Sequence, residues 1–368
     1  MNLLNLFNFP EQVTLFKRQF SIYFVLGHLG FVLSFVINCW LCVRLQLPLG
    51  LLGLLYGVTI VTFYGAAWVR KILLGYESYV LLRYALLVNL TVGVTLGFSG
   101  VSKLVVFHFL DLLAIAVALL IAFGRLGCQT IGCCQGKPCR CAWYVAYPSL
   151  GAQTRIIRLI PIQLIESAYA FGLAGWGVWA KVTGLTAGAF WVGFWLSYSI
   201  GRYFFEFFRG DADRPYWLGF SEAQWTGVGI WLGLTLAGYW QWIPWQSWQY
   251  IVTITGFSFT LLWALVRSQQ KPPFYRLTQP AHLQEFIQAA LDSQITASLC
   301  TTSLQLNVTV SKVANDQYLY SVSHARHSLP KAQARRLFRH LQLTLYPAQN
   351  NEMQLGGVGV YHWVVDID

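Results

Sequence analysis

Stretches of mostly apolar residues long enough to cross a bilayer recur along this chain, and they limit its folds more than any other feature. They lie at 20–43, 45–69, 83–102, 104–124, 159–180 and 182–208, and 223–266 holds no charged residue at all. About twenty such residues cross a hydrocarbon core of roughly 30 Å. The last stretch is too long for one crossing. Its middle, Gln241-Trp-Ile-Pro-Trp-Gln-Ser-Trp-Gln249, sets a proline among interfacial Trp and Gln and predicts a turn at the membrane surface. Eight spans follow, or seven without that turn. The fold class expected is an all-α polytopic membrane bundle of 7–8 transmembrane helices with a small C-terminal α+β soluble domain.

Composition agrees. Of 368 residues, 56% are hydrophobic and only 11% charged, where a soluble domain carries about 25% charged residues. Lys and Arg number 25 against 14 Asp and Glu, a net charge of +11. The basic residues sit between apolar runs or in the tail, so they point to anionic membrane lipid and not to nucleic acid. Pro10 and Glu11 precede Lys17-Arg18 and a full-length apolar run, which argues against a cleaved signal peptide. Positive charge in the loop at 125–158 does not fix sidedness, because some of its arginines are candidates for function.

Beyond Val266 the chain becomes polar. The domains expected are 1–266 in the membrane, a linker at 267–276 around Lys271-Pro-Pro273, and a small soluble α+β unit at 277–368. Alternation at 304–310 and 318–322 predicts strands, 329–343 has helical spacing, and 356–365 reads as a further strand. His324, Arg326, His327, Arg335 and Arg336 read as a solvated basic surface.

Charge inside a span is expensive and marks function. In Gly201-Arg-Tyr-Phe-Phe-Glu-Phe-Phe-Arg-Gly-Asp211, helical spacing puts Arg202, Glu206 and Arg209 on one face. Two guanidiniums there suit a phosphate; the alternative is an internal Arg–Glu pair that locks two helices. A second cluster, Gly124-Arg-Leu-Gly-Cys-Gln-Thr-Ile-Gly-Cys-Cys-Gln-Gly136, places Arg125 at the end of a span, followed by glycines that permit tight turns. Cys128, Cys133, Cys134, Cys139 and Cys141 crowd this loop. Their spacing lacks the paired C-x2-C of a structural zinc site and no His lies nearby, so packing or a disulfide is expected, with no metal and no cofactor. Cys39, Cys42 and Cys300 read as small core residues. Gln163 and Glu166 open the fifth span, and His108 and Asp111 form an i, i+3 pair suited to helix packing or, less simply, proton transfer.

In order along the chain, Gly-Arg-x-Gly-x(4)-Gly-x(3)-Gly, Pro-x-Gln-x-x-Glu, Gly-Arg-Tyr-x-x-Glu-Phe-Phe-Arg-x-x-x-Asp and Ser-Glu-Ala-Gln224 resemble the prolipoprotein diacylglyceryl transferase family, over residues 124–230. The resemblance implies a multi-pass enzyme of the bacterial inner membrane. It would transfer a diacylglyceryl group from phosphatidylglycerol to the thiol of a prolipoprotein lipobox cysteine and release glycerol 1-phosphate. By position it implies catalytic roles for Arg125, Arg202 and Glu206. It implies substrate-binding roles for Gly124, Gly136, Gln163, Glu166, Arg209 and Gln224. A departure stands beside it: the family's His-Gly-Gly belongs near Tyr84-Ala85, and no His occurs between His28 and His108. Either His108 substitutes from another helix, or the thiol needs no base, or the chain is not a transferase at all; the alternative function is an inactive lipid-binding relative of the transferases. A metal- or redox-active membrane protein built on the cysteine loop is the remaining alternative.

Overall fold

The computed structural model describes residues 12–15, 18–75, 81–145, 158–212, 214–314, 317–346 and 353–366. Pro10, Glu11, Lys17 and the motif's closing Asp213 lie outside the described residues. After a short hairpin, β1 (Gln12–Leu15) and β2 (Arg18–Ser21), eight helices follow. They are α1 (Ile22–Arg44), α2 (Leu49–Leu74), α3 (Leu81–Phe98), α4 (Lys103–Ile131), α5 (Ile162–Val182), α6 (Ala189–Phe205), α7 (Glu222–Tyr239) and α8 (Ser247–Gln269). Among the described residues α1, α2, α4 and α8 are long and apolar enough to cross a membrane. The break at 241–249 is present: α7 stops at Tyr239, and Trp240 and Trp242 are exposed in the turn before α8.

Local chemistry sets the boundaries. Ser102 caps α4 by accepting from the Val105 amide at 3.4 Å, and the left-handed Gly132 ends it. The helix therefore runs six residues past Arg125, which lies inside α4 and not at the end of a span as its position suggested. α4 is also the core of the bundle. Every residue from Phe109 to Leu119 is buried, as befits a helix apolar on all sides. It packs chiefly on α1 and α5. Lipid supplies no hydrophobic drive between helices, so close approach matters. A Cβ at Gly177 would come within 2.4 Å of Phe190, and one at Gly30 within 3.0 Å of Phe123.

Polar groups fix what packing leaves loose. Asp111 of α4 accepts from the amides of Gly188 and Trp191 at 2.9 and 2.8 Å, capping α6, and from Lys181 Nζ of α5 at 2.7 Å. His108 Nδ1 lies 3.0 Å from the same Nζ. The expected His108–Asp111 hydrogen bond is thus replaced by one through Lys181, because the helix N-terminus behind Asp111 claims both carboxylate oxygens. Asn38 donates to Tyr56 and to the Leu112 carbonyl, and Asn89 accepts from the indoles of Trp191 and Trp195.

The C-terminal part forms a second hydrophobic core. Its antiparallel sheet has the order β3-β4-β5-β7-β6, from β3 (Cys300–Thr301), β4 (Leu306–Ala314), β5 (Gln317–His324), β6 (Met353–Gly357) and β7 (Val360–Asp366). Phe286 and Leu283 of α9 (Pro280–Thr296) and Leu337, Phe338 and Leu341 of α10 (Lys331–Leu345) belong to the same core. The stretch read as one strand at 356–365 turns at Gly359, and α9 carries no alternation that would have announced it. Arg267, ending α8, donates to the Gly219 carbonyl at 2.7 Å and stacks over Tyr275, tying the bundle to the start of this unit.

Removing one member of a buried ion pair leaves the other charge uncompensated, at a cost of about 3–5 kcal/mol. Lys181→Met and Asp111→Asn should therefore each lower the unfolding midpoint of the detergent-solubilised protein. The double variant should lose less than the two single losses added together, as a thermal double-mutant cycle would show.

Candidate functional site

Glu166, in the first turns of α5, collects arginines from three directions. Its Oε2 pairs with Arg125 Nε of α4 at 2.5 Å, and its Oε1 accepts from Arg202 Nη1 of α6 at 2.9 Å. Arg209 Nη1 stands 3.8 Å from the same Oε1. Glu166, Arg202 and Arg209 are buried, and Arg125 is 11% exposed at its side chain. Arg202 Nη2 also reaches Glu206 Oε2 at 3.0 Å.

Arg209 does not continue the α6 face. The helix ends at Phe205, a 3-10 turn takes Glu206–Phe208, and Arg209 is extended. What draws it off is a bridge to the loop after α4: Gly136 pairs with Arg209, Lys137 N donates to Phe208 O at 2.8 Å, and Gly210 N donates to Gln135 O at 2.9 Å. Gly136 allows this approach, because a Cβ there would fall 2.2 Å from the Ile160 carbonyl oxygen. Gly124 sits within α4, one residue before Arg125. Gln163 donates through Nε2 to the Cys133 carbonyl at 2.9 Å and so braces the same loop.

The sequence-expected residues Arg125, Glu166, Arg202, Glu206 and Arg209 thus meet in one cage, with Gly136 and Gln163 in its wall. Gln224 does not join them. Its side chain forms a capping box with Ser221 at the start of α7 and donates to the Tyr203 carbonyl at 3.2 Å. Three further groups belong to the cage. Arg214 pairs with Glu206 and with Asp211, and Asp211 pairs with Arg209. Tyr198 lies within electrostatic reach of Arg202, Arg125 and Glu166. Tyr198 stands one helical turn before Arg202, a spacing that was available as a signal; Asp211 and Arg214 occupy a loop, where spacing carries none.

Among the described residues four guanidiniums here face three carboxylates, leaving at least one positive charge over, and the Lys137 ammonium lies within electrostatic reach of Glu206 as well. Arg209 Nη1 is buried with no hydrogen-bond partner, and an unpaired buried donor is costly. The cage therefore suits a monoanion with several acceptor oxygens, such as a phosphodiester. No histidine among the described residues pairs or hydrogen-bonds with it. His108 lies about 25 Å along α4 from Arg125 at the helical rise of about 1.5 Å per residue, which overturns the expectation that it substitutes for the missing base. Tyr84 and Ala85 are buried and line an apolar cavity between α1, α2, α3 and α4.

Residues 85–240 match the family described as prolipoprotein diacylglyceryl transferase. A protein named phosphatidylglycerol–prolipoprotein diacylglyceryl transferase from Clostridium tetani (strain Massachusetts / E88) is 35% identical over 106 residues, 29% of this chain and 43% of the relative. A second, named phosphatidylglycerol–prolipoprotein diacylglyceryl transferase 2, from Clostridium perfringens (strain 13 / Type A), is 29% identical over 150 residues, 41% of this chain and 58% of the relative. The chain spans about half the length of the curated relatives it matches. No solved structure matches it.

Two outcomes follow for the loop that closes the cage. Gly136→Ala should lower the unfolding midpoint by the equivalent of about 1–3 kcal/mol, since the methyl meets a backbone oxygen. Gly57→Ala, in open space, should not. His340 of α10 lies within electrostatic reach of Lys137, and burial together with that ammonium pushes its imidazole down to about 4. A histidine held neutral when folded contributes stability that is present above its ordinary value of about 6.5 and is lost as pH falls toward 4. Hydrogen-exchange protection of α10 should accordingly fall between pH 7 and pH 5, and His340→Leu should weaken that dependence.

Proposed function

With residues 85–240 matching the prolipoprotein diacylglyceryl transferase family, we propose that this chain transfers a diacylglyceryl group from phosphatidylglycerol to the cysteine thiol of a prolipoprotein lipobox. The observation that carries this reading is the buried cage around Glu166, with its surplus positive charge and an Arg209 Nη1 that makes no hydrogen bond among the described residues. Arg125 and Arg202 bind the phosphodiester, with Arg209 as the third donor. Glu166 and Glu206 hold the guanidiniums in place. The lipobox sulfur attacks the glyceryl carbon that bears the phosphate, and the carbon–oxygen bond breaks. Glycerol 1-phosphate leaves with a second negative charge, which the cage neutralises as it grows. The thiol proton passes to solvent or to the departing phosphate oxygen, because no histidine of the cage is there to take it.

The setting proposed is the bacterial inner membrane, with the eight helices of 1–266 as spans, a linker at 267–276, and 277–368 as a separate soluble unit. The shorter or more polar helices, α5, α6 and α7, carry their polar side chains toward the cage or the neighbouring helices, which supports placing them inside the bundle. The chain takes no cofactor in this scheme. The alternative reading, a relative that binds the lipid without transferring it, is favoured by one observation: Tyr84 and Ala85 stand where the family's His-Gly-Gly belongs.

The test uses purified protein in phosphatidylglycerol vesicles with a lipobox peptide, read by mass spectrometry. The peptide should gain the diacylglyceryl mass, and Arg125→Ala and Arg202→Ala should each slow this by about 10²–10³-fold, the cost of one preorganised charge-stabilising donor. Lipid binding with no mass gain in the unaltered protein would establish the non-transferring relative.

A further inference from the structure

Beside the cage, and with no part in the scheme above, three thiols converge. Cys128 occupies the last turn of α4. Gly132 ends the helix with a φ of 66°, and Cys134 follows with a φ of 59°. A left-handed conformation at a residue with a Cβ is uncommon; here it curls the chain back over the helix end. The result is that the sulfurs of Cys128, Cys133 and Cys134 all lie within 4.8 Å of one another. All three are free thiols, while Cys139 and Cys141 in the same loop close a disulfide.

We propose that Cys128, Cys133 and Cys134 form a three-thiolate site for a single thiophilic d10 cation, Zn2+ or Cu+. Zinc–thiolate bonds of about 2.3 Å place the sulfurs roughly 3.8–4.0 Å apart in tetrahedral or trigonal geometry. The triad reaches that spacing by closing less than about 1 Å. Thiolate donors select soft ions over Mg2+ and Ca2+. Among the described residues no further thiol, imidazole or carboxylate joins the group; three thiolates complete a trigonal Cu+ site, and a tetrahedral Zn2+ would take a water as fourth ligand. Thiolates bring negative charge, and Arg125 and Arg209 stand within electrostatic reach of Cys134 to offset it. The scaffold is braced on both sides: Gln163 holds the Cys133 carbonyl, and Gly127 packs against Tyr23 of α1 so closely that a Cβ would meet the ring at 2.6 Å. Linear spacing missed the site because C-x4-C-C resembles no zinc ribbon; a helix end followed by a left-handed turn does the work that a C-x2-C knuckle does elsewhere.

The experiment uses the full chain, reduced and metal-free in detergent under argon. Co2+ should give sulfur-to-metal charge-transfer absorption that saturates at one equivalent and is displaced by Zn2+. Cu+ is titrated separately against a chromophoric chelator. One equivalent of either ion supports the site, and their competition tells which it prefers. Cys133→Ser and Cys134→Ser should abolish the absorption, as should Cys128→Ser on the rigid α4 turn, each with an unchanged size-exclusion profile. Cys139→Ser and Cys300→Ser should retain it. Less than stoichiometric uptake of both ions by protein whose three thiols react with a thiol reagent would overturn the proposal. So would a disulfide among the three in protein isolated without oxidant.

Discussion

The carboxylate of Glu166 is the point on which this protein's polar architecture turns. A lone buried arginine would be costly in a membrane bundle, and three facing one another would be untenable. One carboxylate, shared by Arg125, Arg202 and the more distant Arg209, makes their approach possible. It also joins α4, α5 and α6 at one level. Glu206 and Asp211 extend the same logic outward through Arg214. Because the carboxylates already hold the guanidiniums, the proposed binding of a phosphodiester there would need little reorganisation.

Much of this was legible in the residues. The apolar runs announced all eight helices, and proline with tryptophan announced the break between α7 and α8. Arg202 and Glu206 stood out as charges where charge is expensive, and Arg125 and Glu166 through the family resemblance. What was not legible depended on contacts between distant segments. Arg209 was assigned to a helix face by spacing, but the bridge to Gly136 takes it off the helix. Gln224 looked like a ligand for substrate and instead caps α7, since a Ser-x-x-Gln start is equally a capping box. Lys181 lay at the tail of an apolar run, and only the fold shows that Asp111 needs it.

The C-terminal unit meets the bundle near the cage and not at a remote corner. Arg267 of α8 stacks over Tyr275 at the start of the unit, and His340 neighbours Lys137 in the loop that carries Gly136. Burial pulls Lys137 below the ordinary lysine value, with Glu206 opposing. The imidazole beside this ammonium stays neutral at neutral pH, so His340 adds no second positive charge at the contact between the two units.

Asp111 and Arg125 belong to one unbroken helix, about 21 Å apart at the helical rise of about 1.5 Å per residue. The polar clusters they anchor therefore bracket an apolar slab thinner than a hydrocarbon core of roughly 30 Å. If the slab is centred, each cluster lies only about 5 Å inside a hydrocarbon edge, level with the first acyl carbons. The bundle is thus ruled at both ends like a depth gauge. In the proposed reaction, a lipid would therefore need to sink by only a few ångströms to bring its phosphate to the cage, with its tails still among their neighbours.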